Sequence, residues 1–254
     1  MTPALLEVRD LRRSFGGVHA VDGISFDAER GAITGLIGPN GAGKSTALGV
    51  IAGALPPSGG AIAFNGEDVT GWSPTRLARR GLIRTFQISS EFARLTVLEN
   101  LLVGAPNHAG ESLIGALVLG KRAWRAQERE LVVRARALLD RFEMTAKEDE
   151  YAGNLSGGQK RLLEIMRGLM AEPKLLLLDE PMAGVNPTLS RKIEGHLEEL
   201  RDAGLTMLMV EHELAVVERL CHQVIVMAQG RVISEGTMEA VRRNQEVLDA
   251  YLVG

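Results

Sequence analysis

Alternating and continuous apolar stretches divide the chain into elements. Residues 5–9 and 21–26 roughly alternate apolar with polar or small side chains, as a strand with one wet face does. Gly16-Gly17 and Glu29-Arg30-Gly31 mark turns between them. Residues 32–37 run nearly apolar straight into a glycine-rich segment. Two later runs, 175–178 and 205–210, are almost wholly apolar and end in Asp179-Glu180 and Glu211-His212. Such runs suit central strands covered on both faces. Helical patterns separate them, so the core is expected to be α/β with a largely parallel sheet, preceded by an antiparallel β subdomain. Residues 224–227, the turn Gln229-Gly230 and residues 231–234 predict a terminal hairpin.

From about 88 to 154 the pattern changes. Strand runs are missing, and 122–141 has helical spacing with Leu131, Ala135, Leu138 and Leu139 on one face. This predicts a helical subdomain inserted between 1–87 and about 155–236 of the α/β core. Residues 237–254 fit two short helices. The expected layout is one two-lobed domain over residues 1–254.

Composition narrows the class. With 254 residues, 45% hydrophobic and 24% charged, the chain is globular rather than disordered or collagen-like. A net charge of −3 gives no sign of a general nucleic-acid binder. The single cysteine, Cys221, excludes an intramolecular disulfide and is consistent with a reducing compartment. The longest apolar candidate, 113–119, is far short of the ~20 residues that span a bilayer. Residues 1–9 lack the charged and apolar regions of a signal peptide.

Candidate chemistry begins at the glycine-rich segment. Gly38-Pro39-Asn40-Gly41-Ala42-Gly43-Lys44-Ser45 fits the P-loop pattern, with a strand before it and a helix pattern from Thr46 after it. Its backbone N–H groups can form an anion nest at a helix N-terminus. Lys44 would reach the β- and γ-phosphates, and the Ser45 hydroxyl would ligate Mg²⁺. Downstream, the four leucines 175–178 end in Asp179, a Walker B pattern whose carboxylate suits Mg²⁺ at the carboxyl end of a strand. Glu180 is the candidate base for an attacking water. His212 follows another central strand on the same edge, where it could touch the γ-phosphate and order that water. His19, His108, His196 and His222 lack such a setting.

Leu155-Ser156-Gly157-Gly158-Gln159 reads first as a capping box, Ser156 with Gln159, opening a helix. Leu162, Ile165, Met166, Leu169 and Met170 form its apolar stripe, and Pro173 blocks its continuation. Glycine costs roughly 1 kcal/mol against alanine in a helix interior. Two in the first turn make sense where a phosphate must approach the backbone.

With these motifs in this order, the chain resembles the ATP-binding subunits of ABC transporters over essentially its whole length. The resemblance implies a P-loop NTPase fold with ATP and Mg²⁺ as its ligands. It makes Phe15 the aromatic that stacks on adenine and residues 38–46 the nucleotide cradle. Gln87 becomes the Q-loop glutamine, a sensor of γ-phosphate and a ligand of Mg²⁺ beside Ser45 and Asp179. Lys44, Gln87, Glu180 and His212 become the catalytic set, and residues 183–187 the D-loop. Ser156, Gly157, Gly158 and Gln159 would close in trans over nucleotide held by a second ATP-binding subunit, a copy of this chain or a paralogue.

Residues 81–87, 95–103, 180–187 and 246–254 are similar to the branched-chain amino-acid import ATPases in particular. Asn186 stands where many ABC ATPases carry Asp. The resemblance implies two transmembrane permease subunits, an extracytoplasmic solute-binding protein, no nucleic acid, and a peripheral place on the cytoplasmic face of the cell membrane. Phe86, Ile88, Phe92 and Leu95 would form the groove for a permease coupling helix, or pack inside the helical subdomain. Alternatives are an importer for urea or short amides, an exporter or lipid-extraction ATPase, and a soluble ABC protein without a transport role.

Overall fold

The structure, a computed structural model, describes residues 4–85, 92–105 and 120–253. Gln87, Phe86, Ile88 and the apolar run 113–119 lie outside the described residues. The chain divides into two compact units, the first comprising Met1–Arg84, Pro173–Ala183 and Ser190–Gly254, the second Thr85–Glu172 and Gly184–Leu189.

The first unit holds two sheets. Strands β1 (Ala4–Phe15), β2 (Val18–Glu29), β4 (Gly59–Phe64) and β5 (Glu67–Asp68) form an antiparallel sheet in the order β2-β1-β4-β5. Strands β3 (Ile33–Ile37), β6 (Leu82–Arg84), β7 (Leu175–Asp179), β8 (Thr206–Val210), β9 (Gln223–Ala228) and β10 (Arg231–Gly236) form a second, ordered β10-β9-β3-β8-β7-β6. Its pairs are parallel except the β9–β10 hairpin. The apolar runs behave as central strands: β3 and β8 are buried at every position, and β7 at all but Asp179. Helix α1 (Lys44–Ile51) buries Leu48 and Ile51 in a core shared with Leu6, Leu11, Leu36, Leu177 and Leu208.

Strands β4, β5 and β6 were not legible in the sequence pattern. β4 is built largely of glycine and alanine, and β5 and β6 have two and three residues, too few to show a period. β1 and β2 are also longer than their alternation suggests, because several register shifts interrupt the period.

The second unit is helical among its described residues. Helix α3 (Val97–Val103) opens with a capping box between Thr96 and Glu99. Asn100, 2% exposed, donates through Nδ2 to the carbonyls of Phe92, Leu95 and Thr96 and so fixes the preceding turn. Helix α4 (Gly120–Arg141) buries Leu131, Ala135 and Leu139, with Leu138 at the margin. Helix α5 (Gly157–Met170) buries Leu162, Ile165, Met166, Leu169 and Met170, its expected stripe, together with Leu163. Arg134 on α4 donates to the Leu169 carbonyl at 3.2 Å. The sequence pattern sets the return to the α/β core near 155; the fold groups α5 with the helical unit instead. Its apolar stripe finds its partners there.

The chain also forms α2 (Pro74–Ala78), α6 (Pro187–Asp202) and α7 (Leu214–Leu220). The chain finishes in the two short helices expected, α8 (Met238–Arg242) and α9 (Gln245–Val253).

Candidate active site

Strand order decides what meets at the edge of the parallel sheet. β3 and β7 both flank β8, with Leu36 and Asp179 each opposite Val210. The P-loop leaves β3, Asp179-Glu180 leaves β7, and Glu211-His212 leaves β8. Three distant segments therefore emerge at the carboxyl ends of adjacent strands, where ligands of open α/β sheets bind.

The P-loop backbone demands its glycines. Gly43 caps α1 at φ 99°, and a Cβ there would stand 2.2 Å from the Ala20 carbonyl oxygen. The loop is tied down by the Gly230 N–H, which donates to Ala42 O at 3.0 Å. Lys44 is only 5% exposed, and its Nζ donates to the carbonyls of Gly38 and Pro39 at 2.7 and 2.8 Å. Burial lowers its pKa, opposed by the negative charges of Glu180 and Asp179. An ammonium carries three hydrogens, so with two on loop carbonyls a third can meet an anion. Ser45 and Asn40 are exposed, while Pro39 and Thr46 are half-buried.

Asp179 accepts a hydrogen bond from Arg84 Nη2 at 2.7 Å, both side chains being largely buried. Glu180 has φ 49°, the left-handed region that an L-residue enters at a cost of about 1–2 kcal/mol. Its N–H donates to Val210 O at 2.9 Å, which holds the strained turn against β8. That turn carries the Glu180 carboxylate to His212, whose Nε2 lies 2.6 Å from Oε1. Opposite an ionised Glu180, Nε2 is the protonated nitrogen.

Phe15, at the end of β1, is 46% exposed, with the Arg13 guanidinium 4.4 Å from its ring centre. An exposed ring at a strand end is available for stacking; it is not a core residue.

In the second unit the capping box forms as read. Gln159 N–H donates to Ser156 Oγ at 3.3 Å and Ser156 N–H donates to Gln159 Oε1 at 2.9 Å. The two glycines differ in setting. A Cβ on Gly158 would stand 2.1 Å from Leu189 Cδ2, whereas one on Gly157 meets nothing within 4 Å. Packing inside the unit thus explains Gly158, and Gly157 alone presents open backbone. Asn186 Oδ1 accepts the Leu189 N–H at 3.0 Å, capping α6. Phe92 and Leu95 are half-buried, and Arg167 lies 4.7 Å from the Phe92 ring centre, so Phe92 packs within the helical unit.

Three residues at the first unit's site escaped sequence reasoning. Arg84 ends a three-residue strand that has no visible pattern. Tyr251 on α9 faces the P-loop: burial raises its phenol pKa, partly offset by the Gly38 N–H. Glu211 was seen only as the end of a strand, yet it is 3% exposed and its carboxyl accepts backbone N–H groups. A buried carboxylate beside an aliphatic run was the available signal.

The fit to Mg²⁺ rests on the donors. Asp179, whose carboxylate pairs with Arg84, and the exposed Ser45 hydroxyl in the first turn of α1 are hard oxygen donors. Among the described residues no group of three or more His, Cys, Asp or Glu could hold a metal ion.

Comparison with known proteins gives the family. The family described as ABC transporter matches residues 21–183, and one described as Branched-chain amino acid ATP-binding cassette transporter matches residues 231–252. The "Probable branched-chain amino acid transport ATP-binding protein LivG" of Archaeoglobus fulgidus is 40% identical over 98% of this chain and 95% of that one. The "High-affinity branched-chain amino acid transport ATP-binding protein BraF" of Pseudomonas aeruginosa is 37% identical over 99% of both. A crystal structure of the ADP conformation of an ATP-binding cassette of an ABC transporter superposes with a TM-score of 0.87 at 38% identity, covering 100% of both chains. The chain belongs to the ABC transporter family as one of its ATP-binding cassettes, an ATPase that powers transport.

Proposed function

We propose that this ATPase energises an importer of branched-chain or other hydrophobic amino acids, with Mg²⁺ as its metal. The names of its relatives and the match at residues 231–252 support the solute class. The observation that carries the site is the 2.6 Å contact between Glu180 and His212, at the same strand ends as Lys44 and Asp179.

The roles follow from the chemistry. Residues 38–46 cradle the phosphates, and Lys44 balances their charge. Ser45, Asp179 and Gln87 hold Mg²⁺, which supplies charge neutralisation at the β- and γ-phosphate oxygens when bound. Glu180 accepts the proton of the attacking water, and His212 fixes that carboxylate through Nε2. Phe15 stacks on adenine. Ser156, Gly157, Gly158 and Gln159 meet the nucleotide of a second ATP-binding subunit, and binding at a helix N-terminus needs no further positive side chain. The working assembly adds two permease subunits and an extracytoplasmic solute-binding protein, with this chain on the cytoplasmic face of the membrane.

Uptake into proteoliposomes carrying the co-purified permease subunits tests the reading. Leucine, isoleucine or valine accumulates with ATP on the cassette side, and Glu180→Gln abolishes it. Uptake of urea instead, or net efflux, overturns the amino-acid import reading.

A further inference from the structure

The contact between Glu180 and His212 joins two loops, and a third residue holds those loops together. Glu211 is the first residue after β8 and is 3% exposed. Its Oε1 accepts the N–H of Met182 at 2.9 Å, two residues beyond Glu180. Its Oε2 accepts the N–H of His212 at 3.0 Å, and the Glu213 N–H also reaches the carboxyl group. One carboxylate thus takes backbone donors from the segment after β7 and from the segment after β8. Removing it would leave the Met182 N–H buried and unpaired, since Met182 is itself 5% exposed.

A carboxylate suits this place for a reason a neutral group does not share. An ionised carboxylate turns two acceptor oxygens and no donor toward the loops, whereas an amide of the same shape must aim its NH₂ group at one of them. Burial pushes the Glu211 carboxyl pKa up, with a smaller upward push from the Glu180 charge. The three backbone N–H groups oppose the rise by favouring the ionised form.

We infer that Glu211 is a positioning residue for hydrolysis: it staples the loop after Glu180 to the His212 loop and so sets the geometry between base and imidazole. The inference rests on the catalytic reading of Glu180 and His212 above. Glu211 acts through the backbone of its neighbours, the Met182, His212 and Glu213 N–H groups.

The test uses the full-length chain and three variants. Glu211→Gln keeps the shape but swaps one acceptor for an NH₂ group that faces a backbone N–H. Its kcat should fall ~10- to 100-fold, the range expected when a reacting group moves by about 1 Å. KM for ATP and the Kd for a fluorescent ATP analogue should stay within about twofold, since the P-loop is untouched. Glu211→Asp restores two acceptor oxygens on a shorter stem and should recover part of the lost turnover. A Glu211→Gln kcat within twofold of wild type overturns the proposal. So does a parallel rise of KM and Kd with falling kcat, or a failure of both variants to fold, because each marks a general structural role. Glu180→Gln separates this from the underlying reading. If it turns over normally, the site assignment fails; if it stalls while Glu211→Gln does not, only the staple fails.

Discussion

The Nε2 of His212 lies 2.6 Å from Oε1 of Glu180, although 32 positions separate the two in the chain. The contact forms because β7 and β8 are parallel neighbours with Asp179 opposite Val210, so Glu180, one residue past β7, and His212, two past β8, leave on one edge. The unusual φ of Glu180 completes the geometry by turning its side chain along the sheet edge.

Hydrolysis should therefore depend on both partners. Glu180→Gln should bind ATP normally and lose ~10²- to 10⁴-fold in kcat, the span of a general base. His212→Ala should fall in the same direction with KM little changed. Steady-state ATPase assays alongside nucleotide titration check both.

The two glycines after Ser156 make separable demands. Gly158→Ala should cost about 0.5–1.5 kcal/mol, because Leu189, a half-buried side chain, must swing its Cδ2 aside to admit the Cβ. Gly157→Ala has open space and should leave stability unchanged or raise it by up to ~1 kcal/mol through helix propensity. If Gly157 is where phosphate approaches in trans, the same variant still loses ATPase activity. Denaturation curves paired with turnover read the two effects apart.

Arg84 should stabilise Asp179 measurably. Breaking this largely buried, charge-assisted bond with Arg84→Met should cost about 1–3 kcal/mol. In a double-mutant cycle with Asp179→Asn, the two losses should fall short of additivity by about 1 kcal/mol or more. Urea unfolding of the four proteins measures the coupling, and strict additivity would show that the pair is energetically independent.

A second ion pair should set part of the acid limit. Arg219 donates to both oxygens of Glu194, at 2.6 and 2.8 Å, and Ser190 Oγ adds a third bond at 3.3 Å. The Arg219 hydrogen bond is the main reason the Glu194 carboxyl is held below its ordinary range. A depressed carboxyl pKa stabilises the fold above the unfolded value, near ~4.3, and that stability is lost as the pH falls through the folded value. Arg219→Met should thus lower stability by about 1–3 kcal/mol at pH 7. The gap should narrow as the pH falls below the ordinary carboxylate range, as read by denaturant unfolding across pH.

Much of the site was legible in the chain because it is written in local motifs. The P-loop, the leucine run before Asp179 and the capping box at Ser156 each carry their chemistry within a few consecutive residues. The β3, β7 and β8 strands were legible for a related reason: burial on both faces leaves a continuous apolar run. Those residues also fixed the family, since their order along the chain is itself a local record.

Tertiary structure decided everything that depends on which strands are neighbours. The order β3-β8-β7-β6 puts Arg84 on Asp179 and the loop of Met182 on Glu211, pairings that no periodicity encodes. It also assigned α5 to the helical unit and gave Gly158 a packing role beside Leu189. Local pattern states what a segment buries; only the packed chain states against what. That is why the sequence could single out Glu180 and His212 as candidates, while the carboxylate that ties their loops together became visible only in the fold.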